Sequence, residues 1–220
     1  MCGIERCSIA SVFALLGFLV AILAGTSAQA VTFGFNRITN NGNPDVGSQL
    51  FVDVTNAGSG NVSFAFRNVG SISSSITDIY FDDDHSILKL TSPAPTIFNG
   101  TGVLFSAGAS PPNLPSGNDV GFTASFGADS DSPTEANGVN LSETLAIVFA
   151  LAGSNTLDSV VGALFAGTLR IGLHVQSING GGSDSYISQT PLPGALPLFV
   201  SGLAGLGFFR WFKRKKLAAA

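Results

Sequence analysis

The sequence predicts an all-β protein: a single β-sandwich or jelly-roll-like domain with one short helix, between an N-terminal signal helix and a C-terminal transmembrane helix. Short runs of alternating apolar and polar residues recur along the middle of the chain, as half-buried strands require. Turn-forming residues separate these runs. The chain has 27 Gly and 18 Phe but only one Met and one Trp, a composition typical of a secreted β-rich domain.

The N-terminal residues 1–30 have the pattern of a secretory signal peptide. An apolar stretch ends in the small-residue sequence Ala28, Gln29, Ala30, where signal peptidase would leave Val31 as the mature N-terminus. The alternative is an uncleaved anchor helix. Both cysteines fall inside the signal, so the mature chain is expected to have no disulfide, thiolate metal ligand or cysteine nucleophile.

The predicted ectodomain covers residues 31–187 and contains about nine short strands. The clearest hairpin joins the second and third strands through the turn at residues 57–60. A helix is expected from Asn155 or Thr156 to Leu164, with Asp158 in its first turn, where the helix dipole favours acid. Strands are expected at residues 31–35, 50–55, 62–66, 75–81, 86–90, 96–98, 103–105, 120–126, 145–151, 169–175 and 186–187.

Acidic residues dominate the predicted ectodomain. Residues 31–190 contain four Lys or Arg and thirteen Asp or Glu, so their formal charge is −9, against −4 for the whole chain. A surface this acidic excludes nucleic-acid binding through phosphate neutralisation. It suits divalent cations, or simply solubility. Residues 188–190 form a short linker to the tail.

The tail has three parts in order. The motif Pro191, Leu192, Pro193 leads into an uncharged apolar stretch, and residues 192–212 are long enough to cross a bilayer core of roughly 30 Å as a helix. A basic cluster follows, which the positive-inside bias would keep cytoplasmic, leaving the folded part on the far side. The alternative, an amphipathic or buried helix, lacks a polar face. The basic cluster consists of Arg210, Lys213, Arg214, Lys215 and Lys216.

This tail, residues 191–216, resembles the PEP-CTERM sorting domain of Gram-negative bacteria, with Leu192 in place of the glutamate of the name-giving motif. The resemblance implies processing by an exosortase, a membrane-embedded cysteine protease. It also implies an inner-membrane anchor, later display at the cell surface or release, and a setting in extracellular polysaccharide or biofilm matrix. Residues 74–83, 128–140 and 169–185 are similar to an ectodomain recurring among PEP-CTERM proteins, which implies no activity.

Catalytic residues are hard to assemble from this sequence. It has no G-x-S-x-G motif, and in the ectodomain only His85 and His174 could serve as a general base. His174 is expected on a half-exposed strand face beside Arg170, and His85 in a solvated turn. Asp53 and Asp78 are expected in strands, with no partner evident from sequence. We therefore predict a protein that is not an enzyme and has no cofactor other than a candidate Ca²⁺.

Calcium is the better site hypothesis, because Ca²⁺ prefers six to eight oxygen ligands. Two acidic loops could supply them, although neither is an EF-hand. The alternative for each is a solvated acidic loop. The candidate ligands are Asp82, Asp83 and Asp84 in the first loop, and Asp129 and Asp131, continuing through Glu135 and Asn137, in the second.

The predicted function is that of a non-catalytic, exported, membrane-tethered surface protein. Its expected partners are signal peptidase, an exosortase-type enzyme, the membrane and an exopolysaccharide. The rival is a Ca²⁺- or carbohydrate-binding adhesion module, for which only Tyr80 and Tyr186 offer tyrosine rings to stack on a sugar. A secreted hydrolase is the third class, and it would need a cleft of convergent acids.

Overall fold

The computed structural model describes residues 30–189, and in them an antiparallel sheet of ten strands with two helices. The all-β class is confirmed for this part of the chain. The helices are α1 (Thr134–Asn137) and α2 (Leu157–Ala166). The strands are β1 (Val31–Arg37), β2 (Leu50–Gly58), β3 (Asn61–Asn68), β4 (Ser75–Asp83), β5 (Thr96–Asn99), β6 (Phe105–Ala107), β7 (Phe126–Ser130), β8 (Thr144–Ala150), β9 (Leu169–Gln176) and β10 (Ser183–Ser188).

Strand β1 joins the two halves of the sheet, whose strand order is β5-β8-β3-β2-β1-β10-β9-β4-β7-β6. Its first residues, Val31 to Gly34, pair with β2, and its last, Phe35 to Arg37, pair with β10. We call β5, β8, β3 and β2 the front half, and β10, β9, β4, β7 and β6 the rear half. One strand thus contributes to both halves, which brings their inner faces together.

Phenylalanines from both halves fill the core between them. The ring of Phe81 in the rear half lies 5.0 Å from that of Phe64 and 4.8 Å from that of Phe149, both in the front half, centroid to centroid. All three are fully buried, and the edge-on ring arrangements are favourable. Residues of β3 alternate strictly between buried and half-buried. The predicted alternation is confirmed there, including the hairpin to β2.

A β-bulge in β4 changes which residues face the core. Ile76 pairs with Val175 and Asp78 with His174, so Thr77 is the extra residue. Because a bulge shifts the two-residue alternation by one, Ile76, Ile79 and Phe81 all point inward. The same shift turns Asp78 toward the outer face. The apolar residues of this strand are therefore irregularly spaced in the sequence, yet their side chains all lie on the same face of the sheet.

Helix α2 closes one end of the core with Val160, Ala163 and Leu164. Thr156 is its N-cap: the Thr156 side chain accepts from Ser159 N–H, and the Ser159 side chain accepts from Thr156 N–H. Gly167 ends the helix in the left-handed region, with φ of 74°. The predicted helix is confirmed, and of its two candidate N-caps, Asn155 and Thr156, the structure shows Thr156.

Two predicted strands are wrong. At residues 86–90 only Leu88 makes a bridge, because the Asp83 carboxylate accepts the N–H groups of Ile87 and Leu88 and turns the chain. At residues 120–126 the chain forms a 3-10 turn (Gly117–Val120) and then a left-handed Gly121. Strand β7 starts only at Phe126 and extends into the predicted acidic loop, which also contains the unexpected helix α1.

The C-terminal boundary of the folded domain lies slightly beyond the predicted one. Ser188 belongs to β10, and Gln189 donates its backbone N–H to Gly34 O at 2.9 Å, so most of the predicted linker is part of the sheet. Val31 is the first residue of β1. Neither helix within residues 30–189 has the length and apolar character needed to cross a bilayer. Ala28 and the tail residues Pro191, Leu192, Pro193, Arg210, Lys213, Arg214, Lys215 and Lys216 lie outside the described residues.

Candidate functional site: an acidic cluster beneath residues 108–125

The outer face of the rear half is covered by residues 108–125, which we call the covering segment. Beneath it the bulged strand β4 presents Asp78, Tyr80 and Asp82 in alternate positions. Each lies opposite a residue of β9: Asp78 opposite His174, Tyr80 opposite Gly172, and Asp82 opposite Arg170. These three pairs form three parallel rows across the neighbouring strands: the first contains Asp78, the middle one Tyr80 and the third Asp82. The covering segment packs on all three rows.

Asp78 is the centre of the first row and is only 2% exposed. One of its carboxylate oxygens, Oδ2, lies 3.0 Å from His174 Nδ1 and accepts from Thr77 Oγ1 at 2.8 Å. The other, Oδ1, accepts from Tyr80 OH at 3.3 Å. A buried carboxylate needs such partners, because an unpaired one is costly. We call Asp78, Tyr80, Asp129 and His174 the acidic cluster.

Asp129 brings a second carboxyl to the same row, because it pairs directly with Asp78 across β4 and β7. Burial, and after it the charge of Asp78, raise the pKa of Asp129 above its usual range. Burial and the same charge raise the pKa of Tyr80, so its hydroxyl keeps its proton. Pro111 O lies 2.9 Å from the same hydroxyl and shares its single proton with Asp78. The acidic cluster thereby holds one end of the covering segment.

The middle row is a trough made by two glycines on either side of Tyr80. Gly127 and Gly172 are its neighbours in β7 and β9. Leu114 and Phe122 of the covering segment pack there against Tyr80, and all three are buried. A Cβ on Gly172 would come within 2.8 Å of Leu114 Cδ2, and one on Gly127 within 2.7 Å of Ala109 Cβ. Because Gly127 and Gly172 have no side chains, the covering segment can pack closely on the sheet there.

The third row anchors the other end of the covering segment. Arg170 Nη1 donates to Val120 O at 3.0 Å, and Nη2 donates to Gly121 O and to the Asp82 carboxylate. Its guanidinium carbon lies 5.4 Å from the centroid of the Phe122 ring, a cation–π distance. Asp82 also accepts Thr123 N–H at 3.1 Å. Asp82 and Arg170 thus connect two strands to the covering segment.

The chemistry open to the acidic cluster is limited by its burial. His174 lies in register with Ser185 of β10 as well as with Asp78, so serine, histidine and aspartate occupy three adjacent strands. Ser185 is only 1% exposed, and His174 Nδ1 lies within hydrogen-bond distance of Asp78 Oδ2 and Gln176 Nε2 instead, one of which it can bond at a time. A nucleophile must contact its substrate and its base. The arrangement supports a structural role. His174 is half-exposed, as expected, with its side chain 15% exposed.

The predicted calcium ligands lie in separate surroundings. Asp82 is bonded to Arg170 and Thr123, and Asp83 accepts two backbone N–H groups, while Asp84 and His85 are exposed in the following turn. Asp131 accepts from Ser106 Oγ at 3.2 Å. Within residues 30–189 no three His, Cys, Asp or Glu side chains are grouped to hold a metal. The Ca²⁺ site remains a prediction.

Both termini of the described domain lie toward one end of the sheet. Strand β1 begins there, and β10, antiparallel to β1, runs toward it. The β2–β3 turn and helix α2 lie at this end too, so we call it the terminal end. The opposite end, the loop end, carries exposed Asp45 and Glu135 and half-exposed Asp131 and Glu143. The basic residue there is Arg37, which is paired with Asp45 and Asp184.

No family model, curated protein or solved structure matches this chain. The acidic cluster was not predicted from the sequence, because Asp78 and Asp129 are 51 positions apart and become neighbours only through strand pairing. The one local signal was the irregular apolar spacing of Ile76, Ile79 and Phe81, which indicates a bulge.

Proposed function

We propose that this chain is a non-catalytic exported protein of the bacterial cell envelope, sorted and processed by an exosortase-type enzyme. The observation that carries the proposal is the fit between the strands and the processing sites. Strand β1 begins at Val31, directly after the predicted signal cleavage, and β10 ends at Ser188, three residues before the sorting motif. Removing both end segments would take away none of the ten strands.

The proposed arrangement is a β-sandwich or jelly-roll-like ectodomain on a C-terminal membrane helix. The basic residues 213–216 stay on the cytoplasmic side, and the ectodomain lies beyond the inner membrane until it reaches the cell surface or the medium. Association with extracellular polysaccharide is part of this proposal. The acidic loop end, away from both termini, would then be the part presented to the surroundings.

A Ca²⁺-binding adhesion module is the second candidate, and the loop end is what favours it. Its acidic side chains are oxygen donors, and the mature chain has no cysteine to favour softer metals. Sugar stacking on tyrosine has less support, because Tyr80 and Tyr186 are both 0% exposed. Stabilisation by Ca²⁺ but not Mg²⁺ in thermal unfolding, lost in Glu135→Gln, would favour this candidate. An unchanged unfolding temperature would rule it out.

The proposal is tested by the intact mass of the protein recovered from the membranes and the medium of its native host. A species that starts at Val31 and ends near Pro193 is the expected result, since it shows both cleavages. A species that keeps Lys213 to Lys216 would mean a permanent anchor and would overturn processing by an exosortase. A species that keeps residues 1–30 would overturn cleavage by signal peptidase.

A further inference from the structure

The last described residue is fixed to the sheet, close to where the apolar tail begins. Gln189 donates its backbone N–H to Gly34 O at 2.9 Å and its side-chain amide to Phe35 O at 3.1 Å. Only Thr190 separates it from Pro191, the first residue of the uncharged stretch. An extended residue spans at most about 3.6 Å. The folded domain therefore has almost no linker between itself and the tail.

We propose that the terminal end of the domain rests directly on the lipid headgroups of the membrane that its tail spans. This inference rests on the proposed function, because it takes residues 192–212 as the membrane helix. The headgroup region on each side of a bilayer core is only about 5–8 Å thick. With one residue between the sheet and the apolar stretch, the terminal end has no room to stand away from the membrane.

Helix α2 gives this end a surface suited to a membrane interface. Of its ten residues, LDSVVGALFA, only Asp158 is charged. One face packs on the core, while Gly162, Phe165 and Ala166 are exposed on the other, with Asp158 at its start. Phe165 is 39% exposed, which is high for a phenylalanine, and its ring also packs on Phe33 at 5.5 Å. Apolar and aromatic side chains on an exposed helix face favour the boundary between headgroups and acyl chains.

The charges of the domain are distributed in a way that permits this contact. The β2–β3 turn, from Asn56 to Asn61, has no charged residue. The exposed charges near the terminal end are Asp84, Asp119, Asp158 and Lys89, and signal cleavage would add the α-amino group of Val31. Asp82 and Asp83 also lie at this end but are buried, and Asp82 is paired with Arg170. Five acidic residues lie at the loop end with one basic residue, Arg37: Asp45, Asp131, Glu135, Glu143 and Asp184. The terminal end is therefore repelled less by anionic lipids than the loop end is.

Two single-cysteine variants of the full chain test the proposal, with Cys2 and Cys7 replaced by serine. Gly162→Cys places a fluorophore on α2, where an added Cβ meets no atom within 4 Å. Ala136→Cys places it on exposed α1, near the loop end. Both proteins are reconstituted in phosphatidylcholine–phosphatidylglycerol vesicles containing headgroup spin-labelled lipid. We expect strong quenching at position 162 and little at position 136.

A matched control lengthens the connection. Ten Gly/Ser residues inserted after Gln189 add a flexible span of roughly 18 Å, so quenching at position 162 should fall toward that at position 136. Equal quenching at both positions in vesicle-bound protein would overturn the inference and leave the proposed function intact. Failure of the protein to float with the vesicles would overturn the membrane helix, and with it both proposals.

Discussion

His174 Nδ1 lies 3.0 Å from Oδ2 of Asp78, and the two residues meet because Thr77 is a bulge residue in β4. Without the extra residue Asp78 would point into the phenylalanine core, where a carboxylate finds no partner. With it, Asp78 receives hydrogen bonds from Thr77 and Tyr80 and lies beside His174. This pair is the basis of the acidic cluster, which holds the covering segment on the rear half of the sheet.

Replacing Asp78 should destabilise the fold. Asp78→Ala removes the partner of His174 and one of the two acceptors near each of the Tyr80 and Thr77 hydroxyls, and a buried polar group left unsatisfied costs about 1–3 kcal/mol. We expect a loss of about 2–4 kcal/mol in the free energy of unfolding, measured by urea titration with an unchanged slope. Asp78→Asn keeps the shape and one acceptor oxygen and should lose less. Equal losses in the two variants would contradict a role for the acceptor oxygens.

Asp129 should destabilise the folded state at neutral pH. Its pKa is raised in the fold, so its contribution to stability is fully present below about 3.9, its usual unfolded value, and is lost as pH rises through the raised value. Asp129→Asn resembles the protonated form, so it should be at least as stable as the parent at pH 7. That advantage should vanish below about pH 4. A stability difference that is independent of pH would count against the carboxyl pair.

Asp53, in contrast to Asp129, should stabilise the folded state at neutral pH. Arg67 donates to it through Nε at 2.8 Å and Nη2 at 3.3 Å, and Thr32 donates as well. The hydrogen bond from Arg67, and less strongly the one from Thr32, lower the pKa of Asp53. Its stabilisation is present above about 3.9 and lost as pH falls through the lowered value. Asp53→Asn should therefore lose stability at pH 7 and resemble the parent at the acid end of the same titration.

Two glycine-to-alanine changes should have opposite effects. In Gly172→Ala the new Cβ would meet Leu114 Cδ2 at 2.8 Å and Phe122 Cζ at 3.1 Å, so the covering segment must move, at a cost of about 1–3 kcal/mol. In Gly162→Ala the Cβ enters open space on α2, and higher helix propensity should add about 0.5–1 kcal/mol. Urea unfolding and proteolysis within residues 108–125 measure both. A neutral Gly172→Ala would mean that the trough is not filled as described.

Local patterns in the sequence were enough for much of the fold. Strict alternation in β3 and β9 identified strands and their core faces, and the Thr156 cap identified the start of α2. The predictions at residues 86–90 and 120–126 were wrong because a local side-chain contact decides the first segment and a long-range contact decides the second. The carboxylate of Asp83 turns the first, and the packing of Phe122 into the glycine trough holds the second outside the sheet.

By itself, the sequence determined the all-β class, the hairpin of β2 and β3, the capped helix and the strand beginning at Val31. These features depend on neighbouring residues, through alternation, turn chemistry and capping. Only the tertiary structure decided that Asp78 lies between Asp129 and His174, that Gly127 and Gly172 flank Tyr80, and that both termini lie toward one end. Each depends on strand register between distant segments, and a one-residue bulge such as Thr77 reverses which face a side chain occupies.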